Sequence, residues 1–241
     1  MVLSTALQRA RTVAARSGLA ALALLSAACA QEEQVGRFET SGELIALSGA
    51  DAGARGACIL CHGLDGGGDG NLVPRLAGLD QGYLARQLEF YAEGQRRHEQ
   101  MVWISDHLDW PARQQVAEYY SAMPVPPTPA AWRPDAQACT RPIAALYHVG
   151  DASRGLQACA TCHGHDGLGV GEGNPPLAGQ PAPYLAHQLE AWRNGERYGD
   201  PLGVMTHVSR LLAEPEVKAL AGYSSALQGA NQYPELPAAC R

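Results

Sequence analysis

The chain has 241 residues, and since the first 30 read as removable it is sized for one large domain or two small ones. Aromatic residues make up 6%, with 2 Phe, so an ordinary core would be short of large apolar side chains, whereas 27 Gly, 16 Pro and 17% charged residues exclude disorder and coiled coil and suit compact, loop-rich folding. The net charge of -6 becomes -9 from Gln31 onward, the wrong sign for a nucleic-acid partner, and no later apolar stretch approaches the ~20 residues of a membrane span.

In chain order, Met1 to Arg16 is basic, Gly18 to Ala28 is an apolar run of small residues, and Ala28-Cys29-Ala30 precedes the polar Gln31-Glu32-Glu33-Gln34. These three parts predict a secretory signal over 1–30 and export to an oxidising compartment. A membrane helix competes, but the apolar run is short for it. A third outcome stays open, because Leu25-Ser26-Ala27-Ala28-Cys29 resembles a lipoprotein signal ending at 28, with lipid on Cys29, although Ser26 stands where that motif prefers Leu.

Shifting the chain by 101 residues lays Cys58-Ile59-Leu60-Cys61-His62-Gly63 on Cys159-Ala160-Thr161-Cys162-His163-Gly164, Pro74 to Gly78 on Pro175 to Gly179, and Tyr83 to Glu89 on Tyr184 to Glu190. An insertion of three then changes the offset to 104, so that Met101 meets Met205, Ser105 meets Ser209 and Tyr119 meets Tyr223. Three anchors in register predict a tandem of similar domains, at 40–123 and 139–240, joined over 124–138 by a proline-rich connector that cannot continue a helix. In each half a first helix is expected from Asp51 or Asp151 into the Cys motif, a second over Gly82 to Glu93 or Pro183 to Asn194 stopping at Gly94 or Gly195, and a last from Pro111 or Pro215 to Met123 or Leu227. No stretch alternates convincingly, so the fold class is all-α.

Four of the 7 Cys lie in the two C-x-x-C-H segments. On one helical turn both thiols face one way and can add to the vinyl groups of a single haem, with the adjacent His turned to the iron, so the motif signals covalent haem c in each half. Zinc would gather four ligands at one site, and a thioredoxin-like dithiol would sit among alternating strands and helices that this pattern lacks. Haem also supplies the large apolar group that so small a domain needs. Met101 and Met205 coincide in the repeat about 40 residues after each His, which selects them as sixth ligands and leaves Met123, opposite Leu227, to core packing. His98, His107 and His207 have no His partner in the repeat and read as solvated. The Pro74 and Pro175 carbonyls, 12 residues after His62 and His163, are placed to accept the ring N–H of those histidines, against the alternative of plain turn prolines. Arg96 and Arg197, aligned in the repeat, read either as solvated or as partners of haem propionates.

From C-x-x-C-H-G twice, P-x-L-A-G twice, Y-L-x-x-Q-L twice and the spaced Met pair, the chain from Ser48 to Leu227 resembles the tandem di-haem class I cytochromes c of the cytochrome c4 type. The resemblance implies two cytochrome c-like domains, each wrapped around one haem, His/Met iron in both, and periplasmic electron transfer between a redox donor and acceptor, with a terminal oxidase as the acceptor. Trp103, where the second half has His207, and the extra Cys139 and Cys240 depart from the pattern. In the resembled fold the first and last helices of a domain cross, which would bring the segments carrying Cys139 and Cys240 together and allow a disulfide after export.

An iron with His and Met on its two sides has no open position, which predicts an electron carrier and not an enzyme. A di-haem peroxidase would need one half to lose its sixth ligand, and neither departs in that way. A fixed subunit of a dehydrogenase or oxidase complex, held by lipid or by docking, stays open beside the diffusing carrier. Between 31 and 130 the chain carries 7 basic and 14 acidic residues, and from 131 on 8 and 10, so a basic partner is expected to meet the first domain.

Overall fold

Each half begins and ends on helices that cross. The computed structural model describes residues 41–127, 141–171, 173–200 and 202–227; the leader with Cys29, the connector beyond 127, Cys139 and Cys240 lie outside the described residues. The first half contains α1 (Gly42–Ser48), α2 (Ile59–His62), α3 (Gln81–Ala92), α4 (Glu99–Asp106) and α5 (Trp110–Ala122). The second repeats them as α6 (Arg141–His148), α7 (Ala160–His163), α8 (Ala182–Asn194), α9 (Val204–Leu211) and α10 (Glu214–Ala226). Among the described residues there is no strand, only isolated bridges between Arg96 and Arg197 and between Asp151 and Leu156.

Local chemistry explains the boundaries. Asp80 accepts the Tyr83 N–H at 2.7 Å to start α3, and Asp109 accepts the Ala112 N–H at 2.8 Å to start α5, which has a proline in its first turn. Glu216 reaches back to the Ala213 N–H at 2.7 Å at the start of α10. Gly195 ends α8 in the left-handed region.

The expected first helices at Asp51 and Asp151 are not there. Asp51 lies in a single 3-10 turn, Ala50–Ala52, and Asp151 accepts the Ser153 N–H at 3.0 Å to cap another, Ala152–Arg154. Glycines with positive φ flank these turns, Gly49 and Gly53 in one half and Gly150 and Gly155 in the other, so a continuing helix is broken on both sides. The helices that do open the halves, α1 and α6, lie upstream.

In both halves the same packing recurs: α5 receives α1 and α3 while α4 lies on α3, and α10 receives α6 and α8 while α9 lies on α8. The α1–α5 crossing is so close that a Cβ on Gly42 would fall 2.0 Å from the Gln115 carbonyl oxygen. The first core is built on Ile45, Leu84, Ile104, Val116 and Tyr120, and the second on Tyr147, Leu156, Val217, Leu220 and Tyr223. Both halves belong to one compact unit that starts at Gly42.

Candidate haem sites

The two C-x-x-C-H segments form one turn of helix each. Cys58 and Cys159 precede α2 and α7, the His62 N–H donates to Cys58 O and the His163 N–H to Cys159 O, both at 2.9 Å, and each histidine is the last residue of its helix. The turn therefore puts two sulfurs and an imidazole on one short segment, the arrangement that covalent haem attachment needs.

The imidazoles are buried, and their Nδ1 atoms lie 3.0 Å from Pro74 O and 2.9 Å from Pro175 O. A carbonyl can only accept, so Nδ1 carries the proton and Nε2 keeps its lone pair, which is the tautomer an iron ligand requires. Burial holds both histidines below their ordinary pKa, against the opposing effect of the bond to proline, so they are neutral near pH 7. Burial likewise pushes the Cys58 and Cys159 thiols up to about 11, the behaviour of sulfur in apolar surroundings and unlike a metal thiolate. Attachment, neutral imidazole and apolar lining all fit a haem in each half.

Met101 and Met205 lie on α4 and α9, eight-residue helices that the sequence pattern does not single out, since a helix so short is decided by what it packs against. Met101 packs with Cys58 against the first core, and its neighbour Gln100 places Nε2 4.0 Å from Cys61 Sγ, which brings the start of α4 against the Cys motif. Met123 also packs against that core, at the far end of α5. His98, His107 and His207 are exposed, although His98 accepts the Met101 N–H at 3.3 Å and so caps α4. The second methionine helix is capped by Asp200, which accepts from the Met205 N–H at 2.6 Å and the Thr206 N–H at 3.2 Å. Arg96 and Arg197 are 5% and 4% exposed, which excludes the solvated alternative.

Several site-supporting residues escape a reading of the sequence. Arg113 donates to Ser105 O from Nε at 3.2 Å and Nη2 at 2.9 Å, and Arg193 donates to Ser209 O from Nε at 3.1 Å, in each case near the end of the methionine helix. These arginines occupy unrelated places in the repeat, so no alignment of the halves links them. Tyr83, Gln87 and their counterparts Tyr184 and Gln188 were visible in the repeat, but as parts of a helix and not of an interface.

The family model described as Cytochrome c matches residues 152–223. The thiosulfate dehydrogenase electron acceptor of Stutzerimonas stutzeri is 40% identical over 183 residues, covering 76% of this chain and 84% of that protein. Cytochrome c4 of Thiocapsa roseopersicina is 33% identical over 185 residues, covering 76% and 91%. Among solved structures, thiosulfate dehydrogenase (TsdBA) from Marichromatium purpuratum aligns at a TM-score of 0.66 with 42% identity over 76% of this chain, which spans only 39% of that one. The chain belongs to the cytochrome c4-type di-haem cytochromes c. It carries two covalently bound haem c groups and is an electron carrier whose partners are redox proteins, not itself an enzyme. No helix among the described residues is long and apolar enough to cross a membrane.

Proposed function

We propose that the protein is exported to the periplasm and accepts electrons from a thiosulfate-oxidising dehydrogenase, through haems attached at Cys58 and Cys61 and at Cys159 and Cys162, ligated by His62 with Met101 and by His163 with Met205. The observation that carries this reading is the 40% identity to a relative named as the electron acceptor of thiosulfate dehydrogenase. A fixed subunit is the second reading, favoured by the likeness to part of a single dehydrogenase chain.

Bound haem supplies a one-electron iron couple, and the protein sets its terms. The Pro74 and Pro175 carbonyls orient the imidazoles, burial keeps them neutral, and the thioethers of Met101 and Met205 would supply the remaining iron ligands, which would exclude water and favour the reduced state. The domains run over 40–123 and 139–240, with 124–138 as connector. A terminal oxidase fits as the acceptor downstream, and the more acidic first domain as the face for a basic partner.

Mixing the oxidised holoprotein with thiosulfate and a thiosulfate dehydrogenase should reduce both haems faster than an unrelated His/Met cytochrome c is reduced, and more slowly as salt rises. Equal rates for the two cytochromes would remove the proposed donor. A non-reduced digest should join Cys139 to Cys240, and the mass of the mature N-terminus should tell cleavage after Ala30 from lipid on Cys29.

A further inference from the structure

Apart from the histidines of the Cys motifs, the second half brings two further imidazoles together. His148 is the last residue of α6, and His165 stands in the turn that follows the Cys motif. Their Nδ1 atoms are 3.1 Å apart. The ring planes differ by 7° and the ring centroids are 5.3 Å apart, so the rings meet end to end at these nitrogens and not face to face.

The pair is anchored from beneath. His148 Nε2 lies 2.7 Å from the Tyr223 hydroxyl of α10, so that nitrogen has its partner and Nδ1 is the one turned to His165. Tyr147, which precedes His148, donates its hydroxyl at 2.9 Å to the carbonyl of Gly164, which precedes His165. Both tyrosines are fully buried, and their rings pack with centroids 5.4 Å apart. The two histidines therefore stand on backbone tied to the core of the half, while the His165 ring itself is exposed and the His148 ring half-buried.

The repeat shows that the haem fold does not require them. At an offset of 101, Leu47 occupies the place of His148 and Leu64 that of His165. Both places hold exposed leucine in the first half, and both hold imidazole in the second. Tyr119 keeps the place of Tyr223, so the tyrosine recurs where the histidines do not.

Two Nδ1 atoms at this distance cannot both aim a proton at the other, so one proton lies between them and one lone pair faces it. A divalent transition ion can take the place of that proton. At the ~2.0–2.1 Å usual for a bond from metal to imidazole, a nitrogen separation of 3.1 Å corresponds to an angle of about 95–100° at the ion. That is close to the right angle between neighbouring ligands in the tetragonal coordination of copper(II). The exposed His165 ring has only to tilt for its lone pair to converge with that of His148. No cluster of three or more His, Cys, Asp or Glu is present among the described residues, so water fills the remaining positions. A site of two nitrogens favours the ion that binds nitrogen most strongly, which among the first-row divalent metals is copper(II). The Tyr223 hydroxyl on the far nitrogen of His148 orients the ring, as partners of metal-bound imidazoles commonly do.

We propose that His148 and His165 form a copper(II) site on the second half, binding the ion through both Nδ1 atoms, with Tyr223 as the residue that positions His148. Binding displaces the single proton shared by the rings, which passes to solvent. The site is distinct from the iron ligands, and it depends neither on the identity of the sixth ligands nor on the electron donor.

The test is titration of the oxidised holoprotein with copper(II) chloride, followed by electron paramagnetic resonance and equilibrium dialysis. The first equivalent should give a tetragonal copper signal coupled to two imidazole nitrogens. His165→Asn and His148→Gln should each leave one of those nitrogens and weaken binding at least about tenfold, the effect that loss of even a supporting partner has on metal affinity. His187→Asn, which removes an exposed histidine from α8 of the same half, should leave the first equivalent unchanged. Should the His148→Gln protein fail to assemble because buried Tyr223 has lost its partner, the exposed His165→Asn variant decides. A wild-type signal coupled to a single imidazole, a first equivalent that stays unbound, or a His165→Asn protein that binds copper as tightly as wild type would overturn the proposal.

Discussion

The two halves agree where haem chemistry is local and differ where the methionine helix must be held. Their histidine turns are nearly superimposable in bonding, with His62 to Pro74 at 3.0 Å and His163 to Pro175 at 2.9 Å. The methionine helices are held differently at both ends. Exposed His98 caps α4 through the Met101 N–H at 3.3 Å, whereas Asp200, next to the three-residue insertion, caps α9 at 2.6 Å. At the other end the Ser105 carbonyl is met by Arg113 from α5, and the aligned Ser209 carbonyl by Arg193 from α8. A late carbonyl in a short helix needs a cationic donor, and any arginine in reach supplies it. The same two backbone groups, the methionine N–H and the serine carbonyl, are therefore bonded in both halves, but by different residues.

The largest effect expected is loss of the thioethers themselves. Met101→Ala and Met205→Ala should each open one iron to carbon monoxide and lower that haem's potential by a substantial part of the ~0.8 V range that axial ligands span. Met123→Ala should do neither, since Met123 packs against the first core at the end of α5. Carbon monoxide binding by a Met123→Ala protein would break the equivalence of Met101 with Met205.

The arginine supports come next. Arg113→Ala and Arg193→Ala should each destabilise their own half by about 1.5–3 kcal/mol, the usual worth of hydrogen bonds to charged groups. Arg113 also pairs with the Glu89 carboxylate at 2.6 Å, whereas the second partner of Arg193 is the neutral Leu212 carbonyl at 2.5 Å, so the first half, which loses a charge pair as well, should lose more. Chemical denaturation followed at the resolved methyl resonances of each haem measures the two separately, and equal losses would mean that the Glu89 pair contributes nothing.

The caps sharpen the comparison further. Asp200→Ala should cost about 1 kcal/mol, typical of a lost N-cap, and broaden the shifted methyl resonance of Met205. His98→Ala should cost less, because its single bond to the Met101 N–H is longer and exposed.

The smallest effect concerns Arg154, which donates to Asp151 at 2.8 Å and to both oxygens of Glu216 at 3.0 Å; the repeat puts Gly53 at its place in the first half. The bond from Arg154 holds Glu216 below the usual carboxylate range, and the Ser153 hydroxyl, followed by Arg154, does the same for Asp151. Depressed carboxylate pKa values give stability that is complete above the unfolded values of ~4 and is lost as pH falls through the folded ones. The difference in unfolding midpoint between wild type and Arg154→Ala should therefore be small and flat above pH ~5 and shrink below pH ~4, in the second half only. A difference that grows on acidification would show that Arg154 acts through something other than these carboxylates.

Reading along the chain located the second and last helices of each half closely, because Gly94 and Gly195 mark the ends of the second, Pro111 and Pro215 the first turns of the last, and the second repeats near helical spacing; the caps at Asp80, Asp109 and Glu216 came only with the structure. It misplaced the first helices, since Asp51 and Asp151 look like helix starts while the glycines around them cut each helix to a 3-10 turn. It passed over α4 and α9, whose eight residues are too few to show a period.

By itself the sequence determined two covalent haem sites, because attachment needs two thiols and an imidazole within five consecutive residues, and the repeat carries that segment twice. The tertiary structure alone decided what surrounds them. Arg96 with Gln188 and Arg113 with Ser105 are joined by packing between separate segments, and whether a given arginine is solvated or buried without an acid depends on which surface folds over it. Covalent chemistry is written in adjacent residues, while burial and charge pairing are properties of the assembled chain.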